Sequence, residues 1–355
     1  MKILFFTDSK LTSPSRYRIF QYQKYLKKDK IKAKYSKLYS ERFHYFRMKY
    51  RNNFLGKIVL SFNWLFAAIK RLIIFFLFTP FYDIVHINRD FIPNVNVRFK
   101  WYLDLFNTKL VYEFDDALFL TQKPTDKIKY LISASNQVIS GNEYLNNYAE
   151  RFNQNTVIIP TVVDKDLYSD IEKDSKNDKT FIIGWIGAPT TIENLDIIVE
   201  PLNRFVDKYN NVHFKFICDD DHGYLDKINN SSFVKWNLST YLKELSEIDI
   251  GVMPLYDNEF NKGKCGFKLI QYLALGKPII ASPVGVNVEI IEKSKAGLLS
   301  DTDDQWFDEL ENIYVNKDLY QKFSLNANKA FNNIYNTNKQ YYKLKKIWCD
   351  LINEN

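Results

Sequence analysis

The chain has 355 residues, 46% of them hydrophobic, and a formal net charge of +7 at pH 7. This length suits two domains, and this hydrophobic content excludes a largely disordered chain. Its three cysteines, Cys218, Cys265 and Cys349, are scattered without a metal-binding spacing. We therefore expect neither a disulfide framework nor a structural zinc site, and we expect a reducing compartment.

The chain opens on MKILFFTDSK, a short apolar run that passes directly into polar sequence. This pattern predicts a first β-strand rather than a signal peptide. Between Arg16 and Arg71, sixteen Lys or Arg residues accompany only two acids, so the positive charge belongs to this part of the chain. An anionic membrane or a nucleic acid could attract such charge. Since the region has no helix-turn-helix, zinc or RNP-like pattern, we expect no nucleic-acid partner.

The same region contains the apolar segment FLGKIVLSFNWLFAAIKRLIIFFLFTPFY, residues 54–82. Its uncharged runs are each shorter than the roughly 18 to 20 residues that a spanning helix needs, so we predict that it does not cross a bilayer. Two interpretations stay open. The helix lies in the interface of an anionic membrane, with Lys57, Lys70 and Arg71 near the headgroups, or it is buried against a sheet. Both interpretations can hold, each for a different face of the helix.

Short apolar runs alternate with helical patterns along most of the chain, which is typical of parallel sheets covered by helices. The predicted strands are residues 3–7, 84–87, 110–112, 137–139 and 157–159 in the first half, and 181–185, 213–217, 250–254 and 278–281 in the second. A polar segment at residues 163–180 separates the two sets. We predict an α/β protein with two doubly wound, Rossmann-like domains, residues 1–170 and 171–336, and a last helix at about 337–355 that returns to the first domain.

Ligands of doubly wound domains bind where the strands end, so the loops after the strands are the candidate sites. In the first half, SPSRYRIFQY follows the first strand, YEFDDALF contains Asp115 and Asp116, and SGNEYL contains Asn142. Paired carboxylates can hold sugar hydroxyls, act as a base or bind a metal. The alternative is a turn with helix-capping aspartates. The cluster CDDDHG, residues 218–223, is either a divalent-cation site or an exposed loop.

In the second half, three turns that lead from a strand into the following helix, which we call corners, have similar sequence patterns. In GWIGAPTTIENL, Gly184 and Gly187 permit close approach of backbone to a ligand, and Thr190 or Thr191 can cap the following helix. In SPVGVNVEII, a turn at Gly285 precedes a helix that Asn287 can cap. Each corner alone also fits an ordinary turn, but three of them together indicate a ligand that bears a diphosphate.

The middle corner belongs to NKGKCGFKLIQYLALGKPIIASP, where we predict a helix from Lys264 to Leu275. Lys264, Lys268 and Gln271 would then form one stripe. Cations in a first helical turn are unfavourable by a few tenths of a kcal/mol each unless an anion offsets them. The pattern therefore indicates a phosphate group bound between the helix N-terminus and the lysines. The alternative is a set of solvated lysines.

These corner segments, with DIGVMPL and GNEYLNNYAERFNQNTVIIPTVVD, resemble a bacterial branch of glycosyltransferase family 4, the glycosyl transferases group 1. The resemblance runs nearly the length of the chain and is densest from Gly184 to Glu289. It implies the GT-B fold, in which two Rossmann-like domains face each other across a cleft. The C-terminal domain of such enzymes holds the nucleotide and the N-terminal domain holds the acceptor.

The resemblance implies transfer of a sugar, with retention of configuration, from a nucleotide-sugar donor to a glycan, lipid-linked or protein acceptor in cell-surface glycoconjugate synthesis. It implies no obligatory metal and no other cofactor. With the basic N-terminal region, it predicts a cytoplasmic protein that is peripheral on the inner face of the cytoplasmic membrane. Two other functions stay open: a GT-B-fold nucleotide-sugar epimerase, and a non-catalytic nucleotide- or glycan-binding protein.

The corners and the resemblance together give the candidate residues. Those expected at the donor nucleotide and phosphates are Gly187, Ala188, Thr190, Lys264, Lys268, Gln271, Gly285, Val286 and Asn287. Those expected at the acceptor are Ser13, Ser15, Arg16, Arg18, Asp115 and Asn142. Lys264, Lys268 and Asp116 are the expected catalytic residues.

The sequence departs from the family at one point. Many members carry two glutamates eight positions apart on the middle corner, where this chain has Gly263 and Gln271. A neutral amide can still bond ribose hydroxyls, and Glu259 or Glu289 could replace the missing sugar contact.

Overall fold

The computed structural model describes residues 1–50, 53–169 and 180–353. The chain forms two compact units, one made of Met1–Thr161 with the chain from Thr337 on, and one made of Val162–Asn336. The predicted boundary at 170–171 lies outside the described residues. The division between the units comes earlier than predicted because a short helix, Lys165–Ser169, already belongs to the second unit.

Each unit contains one six-stranded parallel sheet, so the prediction of an α/β protein with two doubly wound domains is confirmed. The first sheet has the order β2-β1-β3-β4-β5-β6 and consists of β1 (Lys2–Thr7), β2 (Lys32–Lys37), β3 (Ile84–Asn88), β4 (Lys109–Phe114), β5 (Gln137–Ser140) and β6 (Thr156–Ile158). The second has the order β12-β11-β10-β7-β8-β9 and consists of β7 (Phe181–Ile186), β8 (Val212–Cys218), β9 (Ser231–Lys235), β10 (Ile250–Met253), β11 (Ile279–Ala281) and β12 (Gly297–Leu299).

The connections between strands are mostly helical. In chain order the helices are α1 (Ser13–Arg18), α2 (Gln23–Lys28), α3 (Glu41–Tyr50), α4 (Phe54–Phe78), α5 (Lys100–Leu105), α6 (Leu118–Thr121), α7 (Asp126–Ala134), α8 (Glu143–Glu150), α9 (Lys165–Ser169), α10 (Val199–Lys208), α11 (Tyr224–Lys227), α12 (Tyr241–Ser246), α13 (Glu259–Lys262), α14 (Phe267–Ala274), α15 (Val286–Ser294), α16 (Asp303–Val315), α17 (Lys317–Asn333) and α18 (Thr337–Asn353). Short 3₁₀ segments lie at Phe20–Tyr22, Thr79–Phe81 and Pro189–Ile198.

The predicted strands all occur, and three further strands were missed. These are β2, β9 and β12, each of which lies at an edge of its sheet. An edge strand has one neighbour and a more exposed surface, so its sequence lacks a continuous apolar run. β2, with the sequence KAKYSK, shows this, because three of its six residues are lysines.

The last helix, α18, packs within the first unit. Trp348 is fully buried, and its ring lies 5.9 Å from those of Phe5 and His86 on the sheet. Nearer the start of the helix, Tyr341 stacks on Tyr25 of α2 with the ring centroids 4.9 Å apart. This apolar face supplies one side of the first unit's core.

The apolar segment after residue 54 forms the long helix α4. Together with its 3₁₀ extension, Phe54–Phe81 is a 28-residue element whose most apolar stretch has a mean hydropathy of 1.8, so by length and composition it is long and apolar enough to cross a membrane. We based the sequence prediction only on the length of the uncharged runs between the cations of this helix. Only 22% of its most apolar window is buried. Large apolar side chains are therefore exposed along one stripe, including Phe54, Ile58, Phe62, Phe66, Ile69, Ile73 and Leu77.

The second half of α4 is firmly attached to the first unit. The guanidinium of Arg71 is buried and donates hydrogen bonds to the carbonyls of Thr7, Ser36 and Phe91, which lie at or near the carboxyl ends of β1, β2 and β3. Phe75 is also fully buried. Arg71 therefore serves the fold and does not lie among lipid headgroups, contrary to one sequence interpretation.

Candidate functional site

The carboxyl edge of the second sheet brings the three predicted corners together. The first corner follows β7, where Gly187 donates its backbone N–H to the carbonyl of Ile217, 3.0 Å away. A Cβ at residue 187 would lie closer than 3.0 Å to the Trp185 ring and 3.1 Å from the Cε of Lys268. Glycine is therefore required here, because the ring and the lysine pass directly over the backbone.

Asn194 joins the first corner to the second. Its side-chain oxygen accepts hydrogen bonds from the backbone N–H of Tyr256, at 3.1 Å, and from the amide of Asn261, at 3.3 Å. Its own amide donates to the carbonyl of Thr191 at 2.9 Å. Asn194 is buried, so this network fixes the loop after β10 against the loop after β7. The sequence analysis did not identify Asn194 or Asn261.

The second and third corners are also in contact. The hydroxyl of Ser282, directly after β11, accepts the backbone N–H of Leu255 at 3.0 Å. Gly285 has a φ of +56°, and a Cβ there would lie 2.7 Å from the carbonyl oxygen of Lys262. Only glycine combines this backbone conformation with so close an approach. The three corners therefore form one continuous, rigid edge.

Two helices begin at this edge without a side-chain cap. α14 starts after Gly266, whose φ is +62°, and α15 starts after Gly285; neither residue offers a side chain to the first-turn amides. Lys268 lies in the first turn of α14, with its ammonium 5.3 Å from the centre of the Trp185 ring. Lys264 precedes α14 and lies 4.3 Å from the centre of the Phe260 ring. Positive charge and helix N-termini therefore share one region, which suits an anion.

The structure corrects the local prediction for these residues in three ways. α14 begins at Phe267 instead of Lys264 because the left-handed Gly266 interrupts the helix, so Lys264 is not part of a helical stripe. The segment after Ala188 is a 3₁₀ helix without a side-chain cap, so Thr190 does not cap it. Asn287 lies inside α15 and donates its amide to the Ser282 carbonyl at 3.2 Å, which makes it a brace of the turn.

Gln271 lies deeper than expected. Its side chain is buried, and its amide nitrogen donates to the hydroxyl of Tyr168, on α9, at 3.0 Å. Gln271 therefore links α14 to the short helix at the start of the second unit. The sequence prediction that it faces a ribose is not supported by this position. Tyr168 was missed because 103 residues separate it from its partner.

Three further candidates of the second half, Gly184, Glu259 and Glu289, have structural explanations. Gly184 faces Ile248, where a Cβ would not fit, so it serves packing within the sheet. Glu259 and Glu289 are the proposed replacements for the missing glutamates. Glu259 is exposed and Glu289 is half-buried, and they pair with Lys262 and Lys293 on their own helices. Among residues 1–50, 53–169 and 180–353, no group of three His, Cys, Asp or Glu side chains could hold a metal ion.

The carboxyl edge of the first sheet contains a charged cluster that includes the predicted aspartates. Arg89, directly after β3, donates to Asp115 at 2.9 Å and to Asp116 at 2.5 Å. Burial raises the pKa of Asp115 even though Arg89 opposes this effect. Burial would lower the pKa of Arg89, but Asp116 and Asp115 outweigh it and raise that pKa. The aspartates form an ion-paired site with Arg89, an arginine that the sequence did not indicate.

The loop after β1 contributes hydroxyl groups to the same edge. The hydroxyl of Ser15 is buried; it accepts the backbone N–H of Asp8 at 3.1 Å and donates to the side-chain oxygen of Asn88 at 3.4 Å. Ser13 is exposed at the start of α1, and Arg16 is half-buried with its guanidinium 4.7 Å from the Tyr17 ring. Ser13 and Arg16 therefore stay candidates for contact with an acceptor, while Ser15 fixes the loop.

Two of the residues predicted to contact the sugar acceptor form hydrogen bonds with other groups of the protein. Arg18 is buried and bonds Glu113 at 2.7 Å and the carbonyl of Ile159 at 2.7 Å, while His86 bonds the other oxygen of Glu113 at 2.9 Å. The side chain of Asn142 caps α8 by accepting the backbone N–H of Leu145. These contacts correct the prediction that Arg18 and Asn142 touch an acceptor.

Comparisons with known proteins extend this description. Residues 180–316 match the family model for Glycosyl transferases group 1. No curated protein matches the chain in sequence. Among solved structures, HepE of Anabaena in complex with UDP and glucose is 15% identical, covers 99% of this chain and 100% of its own, and has a TM-score of 0.72.

Two further structures are similar over the whole chain. A glycosyltransferase from Rickettsia africae is 16% identical over 100% of this chain and 99% of its own, with a TM-score of 0.71. Sucrose-phosphate synthase from Thermosynechococcus elongatus is 14% identical over 100% of both chains, with a TM-score of 0.69. At such identities the likeness concerns the fold, which is GT-B. The domain match at residues 180–316 makes the chain an enzyme of the glycosyltransferase class.

Proposed function

We propose that the chain is a retaining bacterial glycosyltransferase that moves a sugar from a nucleotide-sugar donor to a glycan, lipid-linked or protein acceptor during cell-surface glycoconjugate synthesis. One observation carries the proposal. At the carboxyl edge of the second sheet, Lys268 crosses the backbone of Gly187 beside two helix N-termini that lack side-chain caps. This combination stabilises a diphosphate, the group that a nucleotide sugar releases.

The chemistry follows from where charge develops. As the anomeric C–O bond breaks, negative charge grows on the departing phosphate. Lys268, Lys264 and the first-turn amides of α14 and α15 then stabilise the transition state more than the ground state. We infer that the acceptor hydroxyl oxygen bonds to the anomeric carbon on the face that the phosphate leaves, which gives retention, and that the departing phosphate oxygen takes the hydroxyl proton. These cations and amides oppose the phosphate charge, so no metal or other cofactor is required by the proposed reaction.

A uridine diphosphate sugar is the first donor to test, since the GT-B structure of Anabaena HepE contains UDP and glucose. The edge described above has donors for phosphate oxygens in three loops. It offers no described carboxylate at positions 263 and 271, where Gly263 and Gln271 stand. The proposal is therefore specific for the diphosphate and leaves the sugar to experiment.

The acceptor is proposed to bind at the first unit. Asp116 and Asp115 present carboxylate oxygens beside Arg89, and Ser13 and Arg16 lie on α1, which follows β1. Carboxylates held by an arginine can accept hydrogen bonds from sugar hydroxyls while staying ionised. In this proposal Asp116, the more exposed of the two, orients the attacking hydroxyl.

We also propose that the protein works in the cytoplasm, on the inner face of the membrane. The exposed apolar stripe of α4 and the exposed Lys57 and Lys70 beside it suit an anionic bilayer surface. The attachment of Arg71 to strand ends of the first unit favours a helix that lies in the interface. Flotation with vesicles of phosphatidylglycerol at low salt tests this; recovery equal to that with neutral vesicles would reject it.

Transfer itself is tested with a panel of nucleotide sugars, membrane extract as the source of acceptor, and released nucleoside diphosphate as the readout. We expect turnover with at least one donor. Lys268→Ala and Lys264→Ala should each reduce it about 100-fold or more, as loss of an oxyanion donor does. Lys293→Ala, which removes a lysine paired with Glu289 at the far end of α15, is the matched control and should keep full activity.

Three results would contradict the proposal. Full activity of Lys268→Ala and Lys264→Ala would remove its basis. Conversion of the donor sugar to an epimer without any acceptor would favour the epimerase. Failure of the folded protein to bind any nucleoside diphosphate would favour a non-catalytic role.

A further inference from the structure

A buried tryptophan lies beside one of the two lysines of the second edge. Trp185, near the end of β7, is only 1% exposed and belongs to the core of the second unit. The ammonium of Lys268 lies over its ring, 5.3 Å from the ring centre. The negative face of an aromatic ring attracts a cation within about 6 Å, and indole does so most strongly. Trp185 and Lys268 therefore form a cation–π pair.

Gly187 is the third member of this arrangement. A Cβ at residue 187 would collide with the benzo end of the Trp185 indole and would lie 3.1 Å from the Cε of Lys268. The indole and the end of the lysine side chain therefore both pass close to the backbone of Gly187. The N–H of Gly187 bonds the carbonyl of Ile217, which ties this backbone to the end of β8. The groups that surround the lysine are thus held by the sheet.

The Trp185 ring is itself held by the core of the second unit. Trp185 pairs with Phe216 across β7 and β8, and both residues are buried. The same core cluster includes Ile192 and Leu195 of the 3₁₀ segment that follows β7. A side chain in a closely packed core has few alternative rotamers. A free lysine side chain has many and loses them when it binds an anion, so contact with a fixed ring reduces that loss in advance.

The other lysine of the edge has a less rigid aromatic partner. The ammonium of Lys264 lies 4.3 Å from the centre of the Phe260 ring. Phe260 is 37% exposed and lies on the four-residue helix α13. Cation–π attraction is weaker where water reaches the pair. Of the two lysines, Lys268 is therefore the one whose aromatic partner belongs to the core.

We propose that Trp185 is a positioning residue for diphosphate binding: its ring holds the Lys268 ammonium at the first turn of α14 before the ligand arrives. Because Trp185 is buried, it does not touch the ligand and acts only through Lys268. This inference rests on the proposed nucleotide-sugar site and adds to it a residue that prearranges the site's charge.

The first test is the dissociation constant of UDP, measured by calorimetry at fixed ionic strength. Trp185→Leu removes the aromatic ring and should weaken UDP binding about three- to tenfold. Trp185→Phe keeps a smaller ring and should weaken it less. Trp306→Leu is the matched control, since Trp306 on α16 is fully buried in the same core cluster. It should lose stability in urea denaturation but bind UDP as the unsubstituted chain does.

A double substitution separates positioning from a general effect on the fold. In Lys268→Ala the positioned group is absent, so adding Trp185→Leu should change the dissociation constant less than about twofold. Equal weakening by Trp185→Leu in both backgrounds would show that it acts through the fold, and would overturn the proposal. Unchanged binding by Trp185→Leu, or an equal loss in Trp306→Leu, would also overturn it.

The second test needs no nucleotide. Lysine amines carrying ¹³C-methyl groups keep their positive charge, and the Lys268 signal is assigned by its absence in Lys268→Ala. We expect the ring current of the indole to shift this signal upfield. Trp185→Leu should return it to the range of exposed lysines, and Trp306→Leu should leave it shifted. A Lys268 signal that already lies in that range in the unsubstituted chain would overturn the proposal.

The positioning role and the donor site can fail separately. Absence of UDP binding in the unsubstituted chain, with a Lys268 signal that is shifted and responds to Trp185→Leu, would reject the donor site alone. UDP binding that Lys268→Ala weakens and Trp185→Leu does not would reject the role of Trp185 alone.

Discussion

The two sheet edges of this protein handle charge in opposite ways. At the edge of the first sheet, arginines are paired with carboxylates of the protein itself: Arg18 with Glu113, and Arg89 with Asp115 and Asp116. At the edge of the second, Lys264 and Lys268 lie over aromatic rings beside helix N-termini. The arginines of the first edge are paired with the protein's own carboxylates, whereas the lysines of the second edge lie beside two helix N-termini, where we propose that a ligand's negative charge binds.

This difference predicts which substitutions mainly change the stability of the fold and which mainly change ligand binding. Internal pairs such as Arg18–Glu113 are buried, so their loss should mainly destabilise the fold. The lysines of the second edge are only half-buried, so their loss should mainly weaken ligand binding. Substitutions at the two edges should therefore have different effects.

Glu113→Ala leaves the buried guanidinium of Arg18 without its carboxylate. We expect a loss of about 3–5 kcal/mol in the free energy of unfolding, measured by urea denaturation of the first unit's transition. Glu41→Ala is the control in the same unit, since its pair with Lys37 is exposed and is worth about 1 kcal/mol or less. If the two variants lost equal stability, the buried pair would not have the structural role assigned here.

Gly187→Ala places a methyl group against the Trp185 ring and near Lys268. We expect it to cost about 1–3 kcal/mol in stability, as overpacking does, and to weaken nucleoside diphosphate binding at least tenfold because Lys268 is displaced. Gly223→Ala, at a turn with no atom within 4 Å of the added Cβ, should leave the affinity unchanged. Unaltered affinity in Gly187→Ala would mean that this corner does not contact the phosphates.

The pH dependence of stability gives a smaller effect. Burial would raise the pKa of Glu113, but Arg18 and His86 outweigh it, so the pKa is lowered in the folded state. A carboxyl group with a lowered folded pKa stabilises the protein above its unfolded pKa of about 4.3, and that stabilisation is lost as the pH falls. The unsubstituted chain should therefore have a larger free energy of unfolding than Glu113→Gln near neutral pH, and this difference should shrink below about pH 4.3. An advantage independent of pH in that range would contradict the ionised pair.

The sequence predicted the fold well because the central strands are continuous apolar runs between helical patterns. It failed at β2, β9 and β12, whose edge positions need fewer apolar residues. The candidate residues of the second edge could be recognised because its glycines and lysines lie within a few residues of each strand end. Gly266 was the exception, since its left-handed conformation moved the start of α14.

The first edge was harder to predict because its design depends on distant pairs. Arg18 looked like a ligand residue until the fold placed Glu113, 95 positions away, against it. Arg89 had no recognisable motif, and only the parallel pairing of β3 with β4 brings it to Asp115. The contact between Gln271 and Tyr168 was not predicted for the same reason, since Tyr168 is remote in sequence.

We propose that the second edge binds the diphosphate of a nucleotide sugar. The most direct test is the dissociation constant of UDP, measured by calorimetry for the unsubstituted chain, Lys268→Ala and Lys293→Ala at fixed ionic strength. We predict that the unsubstituted chain and Lys293→Ala bind equally and that Lys268→Ala binds at least tenfold more weakly, about 1.4 kcal/mol. Equal affinity in all three proteins would contradict the account.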